Sequence, residues 1–306
     1  MTIREKLLIT QKLSGMTQEA LARRLGVTFA ALNRWINGKA VPRKSAEGKI
    51  NELYKEYSGE KEIPGAVIAA KKTIIAGQKK SHKNPLREIL NRPDIHDAFV
   101  LALTYHSNRI EGSTLSEGET AAILFQNASL PDKSLIEQLE AKNHQTALDY
   151  LFDYVSENKP LNERFILKLH AILMNSVRSD AGHYRRHAVR ILGAYIPTAN
   201  YLKVPALMKN LMRDASRETK DIANRIARVH SRFEEIHPFS DGNGRVGRLL
   251  MHAMSIKAGL PPIVILQGKK RFYLSYLNKA QTKGDFDPLE NFILDSILES
   301  YKILES

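Results

Sequence analysis

The chain has 306 residues, 43% of them hydrophobic and 26% charged, which admits globular cores and argues against disorder as the default. It has no cysteine, so disulfides and thiolate metal sites are excluded and a reducing compartment suits it. Of the net charge of +13, +10 lies in residues 1–85, where 17 Lys/Arg face 7 Asp/Glu; this points the first quarter at an anion such as nucleic acid, with a solvated basic surface as the plainer reading.

No signal-type apolar run opens the chain, and no stretch of about 18 apolar residues occurs in it. The expectation is a soluble cytoplasmic protein with no membrane partner. Residues 1–57 read as four or five short helices. Within them Thr17 and Thr28 can cap two helices around the turn at Gly26, with Ala20, Leu21, Leu25, Leu32 and Trp35 facing inward. This helix-turn-helix pattern, closed by Asn37-Gly38-Lys39-Ala40-Val41-Pro42, resembles the phage-repressor-like DNA-binding group, although Ile36 replaces the usual acidic residue. The resemblance implies that the second helix enters a major groove. Phe29, Ala30, Asn33 and Arg34 are then candidate base readers, and Gln18, Lys39, Arg43 and Lys44 candidate phosphate contacts, with a homodimer as the usual binding form.

A basic linker is expected over residues 58–85, with short apolar stretches inside it, and a second domain over 86–306. The periodicity there predicts helices over Asp94–Glu111, Ser116–Gln126, Lys133–Ser156, Asn162–Val177 and Val204–Ile236. Further helices are expected over about Gly242–Ala258, Phe272–Thr282 and Pro288–Leu304. Val189–Val204, rich in β-branched and aromatic residues around a turn-like Pro-Thr-Ala-Asn, predicts a hairpin flap. The expected fold is therefore all-α with one small β-hairpin.

The segment HPFSDGNGRVGR, His237 to Arg248, concentrates the chemistry. Pro238 should stop the preceding helix. Two glycines at the start of the next helix allow close backbone approach and aim free N–H groups at a ligand, for which an anion is the natural occupant. Arg245 and Arg248 add bidentate donors on one face, Asp241 suits Mg²⁺ held against the same phosphates, and His237 suits general-base work near neutrality. An EF-hand fails because Arg245 and Val246 stand where an oxygen ligand and Gly are needed, and no Walker loop occurs.

This segment resembles the full Fic-family signature, HPFx[D/E]GNGRxxR, with support from Ala181–Arg185 upstream and Arg271–Ala280 downstream. The resemblance implies a Fic-fold helical core and transfer of AMP from ATP to a Tyr, Thr or Ser hydroxyl of a target protein. By it His237 is the base, Asp241 binds Mg²⁺, Gly242, Asn243 and Gly244 cradle the phosphates, Arg245 stabilises their charge and Arg248 binds the terminal phosphate. Tyr273 is carried over for the base or ribose, and the flap around Ile191–Leu202 would dock the target as an added strand. Relatives that transfer phosphoryl groups lack the second glycine and second arginine, both present here.

The string SNRIEG places Ser107 and Glu111 one turn apart at a helix end. It resembles the family's inhibitory motif, [S/T]xxxE[G/N], on a helix near 99–112. The resemblance implies that Glu111 pairs with Arg248 where the γ-phosphate must sit, leaving the enzyme largely off, and in some relatives the same glutamate assists removal of AMP. The alternative function is a DNA-binding regulator whose Fic domain only senses nucleotide; the complete catalytic set argues against it.

Overall fold

The computed structural model describes residues 1–58, 62–190 and 197–306. The first core is small. It is built from α1 (Ile3–Ser14), α2 (Gln18–Leu25), α3 (Phe29–Ile36) and α4 (Lys44–Ser58) around Leu7, Leu21, Leu25, Leu32, Ile36 and Ile50. Thr2, Thr17 and Thr28 each accept a backbone N–H at a helix start, and Gly15 and Gly26 end α1 and α2 in the left-handed region. Ile36 is buried, which accounts for an apolar residue at a position where the resembled group carries an acid.

The larger core gathers the remaining helices. Residues 65–81, inside the segment expected as a basic linker, form α5 (Gly65–Ser81). It buries Ile68 and Ile75, two turns apart, against the last helix of the chain, and Lys71 and Lys72 reach Asp295 and Glu290 there. After α6 (Pro85–Asn91) come α7 (Pro93–Glu111), α8 (Glu117–Gln126), α9 (Leu135–Ser156) and α10 (Glu163–Leu173). The single helix expected over Val204–Ile236 is two, α11 (Val204–Ser216) and α12 (Ile222–Ile236), because the Asp221 side chain caps a new start at Asn224 N–H. Then follow α13 (Asn243–Lys257), α14 (Lys270–Lys283) and α15 (Asp287–Leu304).

The centre is α13. It is buried at nearly every position from Asn243 to Ile256 and packed by α12, α9, α10 and α7. A helix enclosed on all sides has one free end to present, and here it is the N-terminus.

The hairpin expected over 189–204 is corrected. Among the described residues there is no strand, and Tyr201–Lys203 form a 3₁₀ turn leading into α11; residues 191–196 lie outside the described residues. Among the described residues, backbone groups of Val189 and Ala199 find partners elsewhere than on a neighbouring strand. Ala199 N–H donates to Glu235 O at 3.2 Å, Ala199 O accepts from Arg185 Nη2, and Thr198 Oγ1 donates to Val189 O at 2.8 Å. With those groups engaged, β-propensity alone does not make a ladder.

The two cores meet through α4 and α14. Tyr57 lies against Phe272 with ring centroids 5.0 Å apart, and Arg271 Nη2 donates to Lys12 O at 3.3 Å.

Candidate active site

Helix α12 ends at His237, which adopts a left-handed conformation (φ 49°) that costs a non-glycine residue about 1–2 kcal/mol. Arg185, itself buried, offsets that cost. Its Nε donates to His237 O at 2.7 Å and its Nη2 to Ile236 O at 3.3 Å, while its own N–H donates to Pro238 O at 2.9 Å. A guanidinium thus caps the negative end of α12 and holds His237 at the turn. The ring is 18% exposed. Burial, opposed by the nearby Glu234 carbonyl, lowers its proton affinity below the usual histidine value, which keeps it neutral and available as a base.

The turn from Phe239 to Asn243 is braced from within. Phe239 N–H donates to Asn243 Oδ1 at 2.8 Å and Asn243 Nδ2 to Phe239 O at 2.9 Å. Behind it His170 stacks on Phe239 at 3.7 Å between centroids. Gly182 N–H donates to His170 Nδ1 at 2.8 Å, so the ring proton lies on Nε2, which donates to Asp241 O at 3.2 Å. Outside, Ser240 Oγ donates to Asp180 Oδ2 at 2.6 Å. Gly242 has φ 76°, and a Cβ there would stand 2.9 Å from Met174 Sδ, so both conformation and space require glycine.

No side chain caps α13. Its first N–H groups open onto a space whose resident anion is the Glu111 carboxylate: a Cβ on Gly244 would overlap Glu111 Oε1. Glu111 sits at the end of α7, just before Gly112 (φ 111°). Arg248 Nη2 donates to Glu111 Oε1 at 2.6 Å and to Ser107 O at 3.1 Å, and Arg248 Nε donates to Ser107 Oγ at 2.9 Å. Arg248 is 2% exposed and the Glu111 side chain 37%. Burial works to raise the Glu111 pKa, but Arg248 outweighs it, and the group lies below its usual value.

Other sequence candidates fall differently. Arg245 is buried and its Nη1 donates to Glu140 Oε1 on α9 at 2.6 Å. Asn243 serves the turn rather than an open face. Tyr273 is buried, its hydroxyl 2.5 Å from His230 Nε2, so it lines the floor under Arg248 and not an open base pocket. Asp241 is 54% exposed, 3.9 Å from Arg245 Nη2, with one oxygen accepting Gly242 N–H at 2.6 Å. Among the described residues no three His, Asp or Glu side chains gather as a metal cluster. A lone open carboxylate beside an anion cradle nevertheless fits Mg²⁺, which takes one or two carboxylates and fills its shell with water and phosphate oxygens. On the small domain, Phe29, Ala30, Arg34, Lys39, Arg43 and Lys44 are exposed, and Asn33 Nδ2 donates to Gln18 Oε1 at 3.0 Å.

Sequence reasoning missed Glu140, His170 and Glu234, which lie far along the chain from their partners or inside an ordinary-looking helix. Arg185 was visible only as part of a string, without a role.

An uncapped, glycine-lined helix N-terminus, a histidine at its rim and a buried arginine below define an anion-handling site. Residues 160–255 match the Fic/DOC family model and residues 2–46 a helix-turn-helix model. The chain carries a Fic/DOC domain behind a helix-turn-helix domain. Among its curated relatives, "Protein adenylyltransferase Fic" of Drosophila erecta is 33% identical over 195 residues, 62% of this chain and 39% of that protein. The counterpart of the same name in Culex quinquefasciatus is 32% identical over 196 residues, again 62% and 39%. The chain therefore spans well under half the length of these relatives. A Fic-domain-containing signaling protein of Bacteroides thetaiotaomicron superposes with a TM-score of 0.65 at 26% identity, covering 77% of this chain and 97% of that one. Fic-1 (residues 134–508) of C. elegans, at 23% identity and a TM-score of 0.64 over 98% of this chain, shares the fold.

Proposed function

We propose that the protein is an autoinhibited adenylyltransferase that moves AMP from ATP to a Tyr, Thr or Ser hydroxyl of a target protein. The observation that carries this reading is the Glu111 carboxylate seated on Gly244 and paired with the buried Arg248, an anion occupying an anion site. In the working state the ATP phosphates take that place, resting on the N–H groups of Asn243, Gly244 and Arg245 and on the Arg248 guanidinium. Arg245, tied to Glu140, sets the local positive potential. His237, neutral and at the rim, takes the proton of the incoming hydroxyl. Asp241 would hold Mg²⁺, which neutralises phosphate charge.

The helix-turn-helix domain is read as a DNA-binding module, its exposed α3 face directed at a groove and Lys39, Arg43 and Lys44 at phosphates. Residues 1–57 and 86–306 are taken as the two functional domains, acting in the cytoplasm. No helix among the described residues is long and apolar enough to cross a membrane. The relatives named as protein adenylyltransferases support the activity.

The test is incubation of Glu111→Gly with α-labelled ATP, Mg²⁺ and a cell lysate. Label on protein, lost in Glu111→Gly/His237→Ala, is expected. Label transferred only from γ-labelled ATP would make the protein a kinase, and binding of ATP without any label would leave a nucleotide sensor.

A further inference from the structure

Two enclosed polar atoms beside the reacting ring have no side-chain hydrogen-bond partner: His237 Nδ1, which faces only the Glu234 backbone carbonyl, and Glu234 Oε1. They belong to neighbours. Glu234 Oε2 is 3.9 Å from His237 Nδ1, and Glu234, one turn earlier on α12, is itself 8% exposed. Every element packed here contributes a charged or titratable group. From α12 itself His230 Nε2 stands 4.0 Å from Glu234 Oε1, and across from it lie Arg248 on α13, Glu111 on α7 and Tyr273 on α14. Arg185 faces the His237 side. Room for the carboxylate exists only because residue 247 is glycine; a Cβ there would be 2.8 Å from Glu234 Oε1.

A carboxyl group with one oxygen enclosed and without a donor is costly to ionise, and an amide or an apolar group of similar size would sit in this space at lower cost. Such a cost beside a candidate general base marks a working residue.

We propose that Glu234 is the positioning residue for His237, its carboxylate drawing onto Nδ1–H as the ring takes a proton at Nε2. This inference rests on the transferase reading. In the step, the acceptor O–H breaks, its proton goes to His237 Nε2, its oxygen lone pair attacks the α-phosphorus of ATP, and pyrophosphate leaves with the bonding pair. Glu234 neither gains nor loses a proton. It keeps Nε2 unprotonated beforehand and offsets the imidazolium charge afterwards.

The arrangement ties the base to the brake. Burial first, and the Glu111 charge second, push the Glu234 carboxyl up to about 8, so it is neutral near pH 7 while Glu111 is seated. Withdrawing Glu111 removes one of those causes and leaves Arg248, which favours ionisation. The carboxyl therefore ionises in the open site before ATP binds, and the His237 Nδ1–H beside it must hold that charge once the phosphates take the place of Glu111. The Glu234 backbone carbonyl also faces the ring and survives any side-chain substitution, so a variant isolates the carboxylate.

The experiment uses the full chain carrying Glu111→Gly, with Glu234→Gln and Glu234→Leu added separately. Measured are AMP transfer to lysate protein across pH, ATP affinity by calorimetry, and the melting temperature. Glu234→Gln is expected to lower the transfer rate about tenfold or more, to leave the ATP Kd within about twofold, and to move the acid limb of the rate profile to lower pH. The melting temperature of both variants should match or exceed that of the Glu111→Gly parent. An unchanged rate and acid limb would show that the backbone carbonyl suffices and would overturn the proposal. So would a rate loss that follows a fall in melting temperature in both variants. A Glu111→Gly parent that binds ATP and labels nothing overturns the transferase reading and this inference with it, which is distinct from a labelling parent indifferent to Glu234.

Discussion

Removing the Glu111 side chain should activate the protein, and the geometry sets the size of the effect. ATP can reach Arg248 only after the 2.6 Å pair with Glu111 is broken and the carboxylate withdrawn from Gly244. Breaking a fully buried pair by removing one partner costs about 3–5 kcal/mol. Because 37% of the Glu111 side chain meets solvent, we discount this to about 2 kcal/mol. At 1.4 kcal/mol per tenfold, Glu111→Gly should raise kcat/KM for ATP about 30-fold, with like-charge repulsion of the phosphates making that a floor. The assay is initial-rate transfer of α-label at ATP concentrations below KM, comparing parent, Glu111→Gly and Glu111→Gln. Gln removes the charge and keeps the volume, so it should recover most of the gain. Equal rates in parent and Glu111→Gly, with both still abolished by His237→Ala, would refute the brake.

Ser107→Ala deletes the acceptor of Arg248 Nε and loosens the same grip, so it should release the enzyme about three- to tenfold in the same assay. Asn243→Ala removes both bonds that brace the turn, and should lower stability by about 1–3 kcal/mol in denaturant titration while also lowering transfer. Acid should destabilise the fold: burial holds His170 at about 4 and His230 and His252 at about 3, and keeps His144 well below the ordinary value of 6.5. These depressed values mean the unfolded chain takes protons first. The stabilising share of His170, His230 and His252 is whole above about pH 6.5 and each loses about 2 kcal/mol by pH 5, while Glu234 and Asp149, carboxyls raised by burial, work the other way; a melting temperature flat from pH 7 to 5 would contradict this. On the small domain, Arg43→Ala in the full chain should weaken DNA binding and flatten its salt dependence, read by fluorescence anisotropy at two salt concentrations.

Much of this was legible in the chain itself because its information is local. Caps at Thr17 and Thr28, the stop at Pro238 and the apolar periodicity settle where helices start and end. The twelve residues from His237 carry their own backbone instructions. Local signals failed where the deciding partner was distant. The β-branched stretch after Val189 reads as strand, yet its described backbone is claimed by Arg185 and the end of α12. The amphipathic face of α5 has meaning only against α15. Asn243 and Arg245 look like ligands in a motif, and packing turns one into a brace and gives the other to Glu140.

By itself, then, the sequence determined the helical class, the anion-cradling turn and the pairing of a serine and a glutamate on one helix face. Only the tertiary structure decided that this glutamate lies on Gly244 and Arg248, some 130 residues further along the chain. It also decided that a second carboxylate, Glu234, is enclosed beside the histidine. The physical reason is that periodicity and capping act over one or two turns, whereas burial, charge pairing and their effect on proton affinity belong to whichever surfaces the fold presses together.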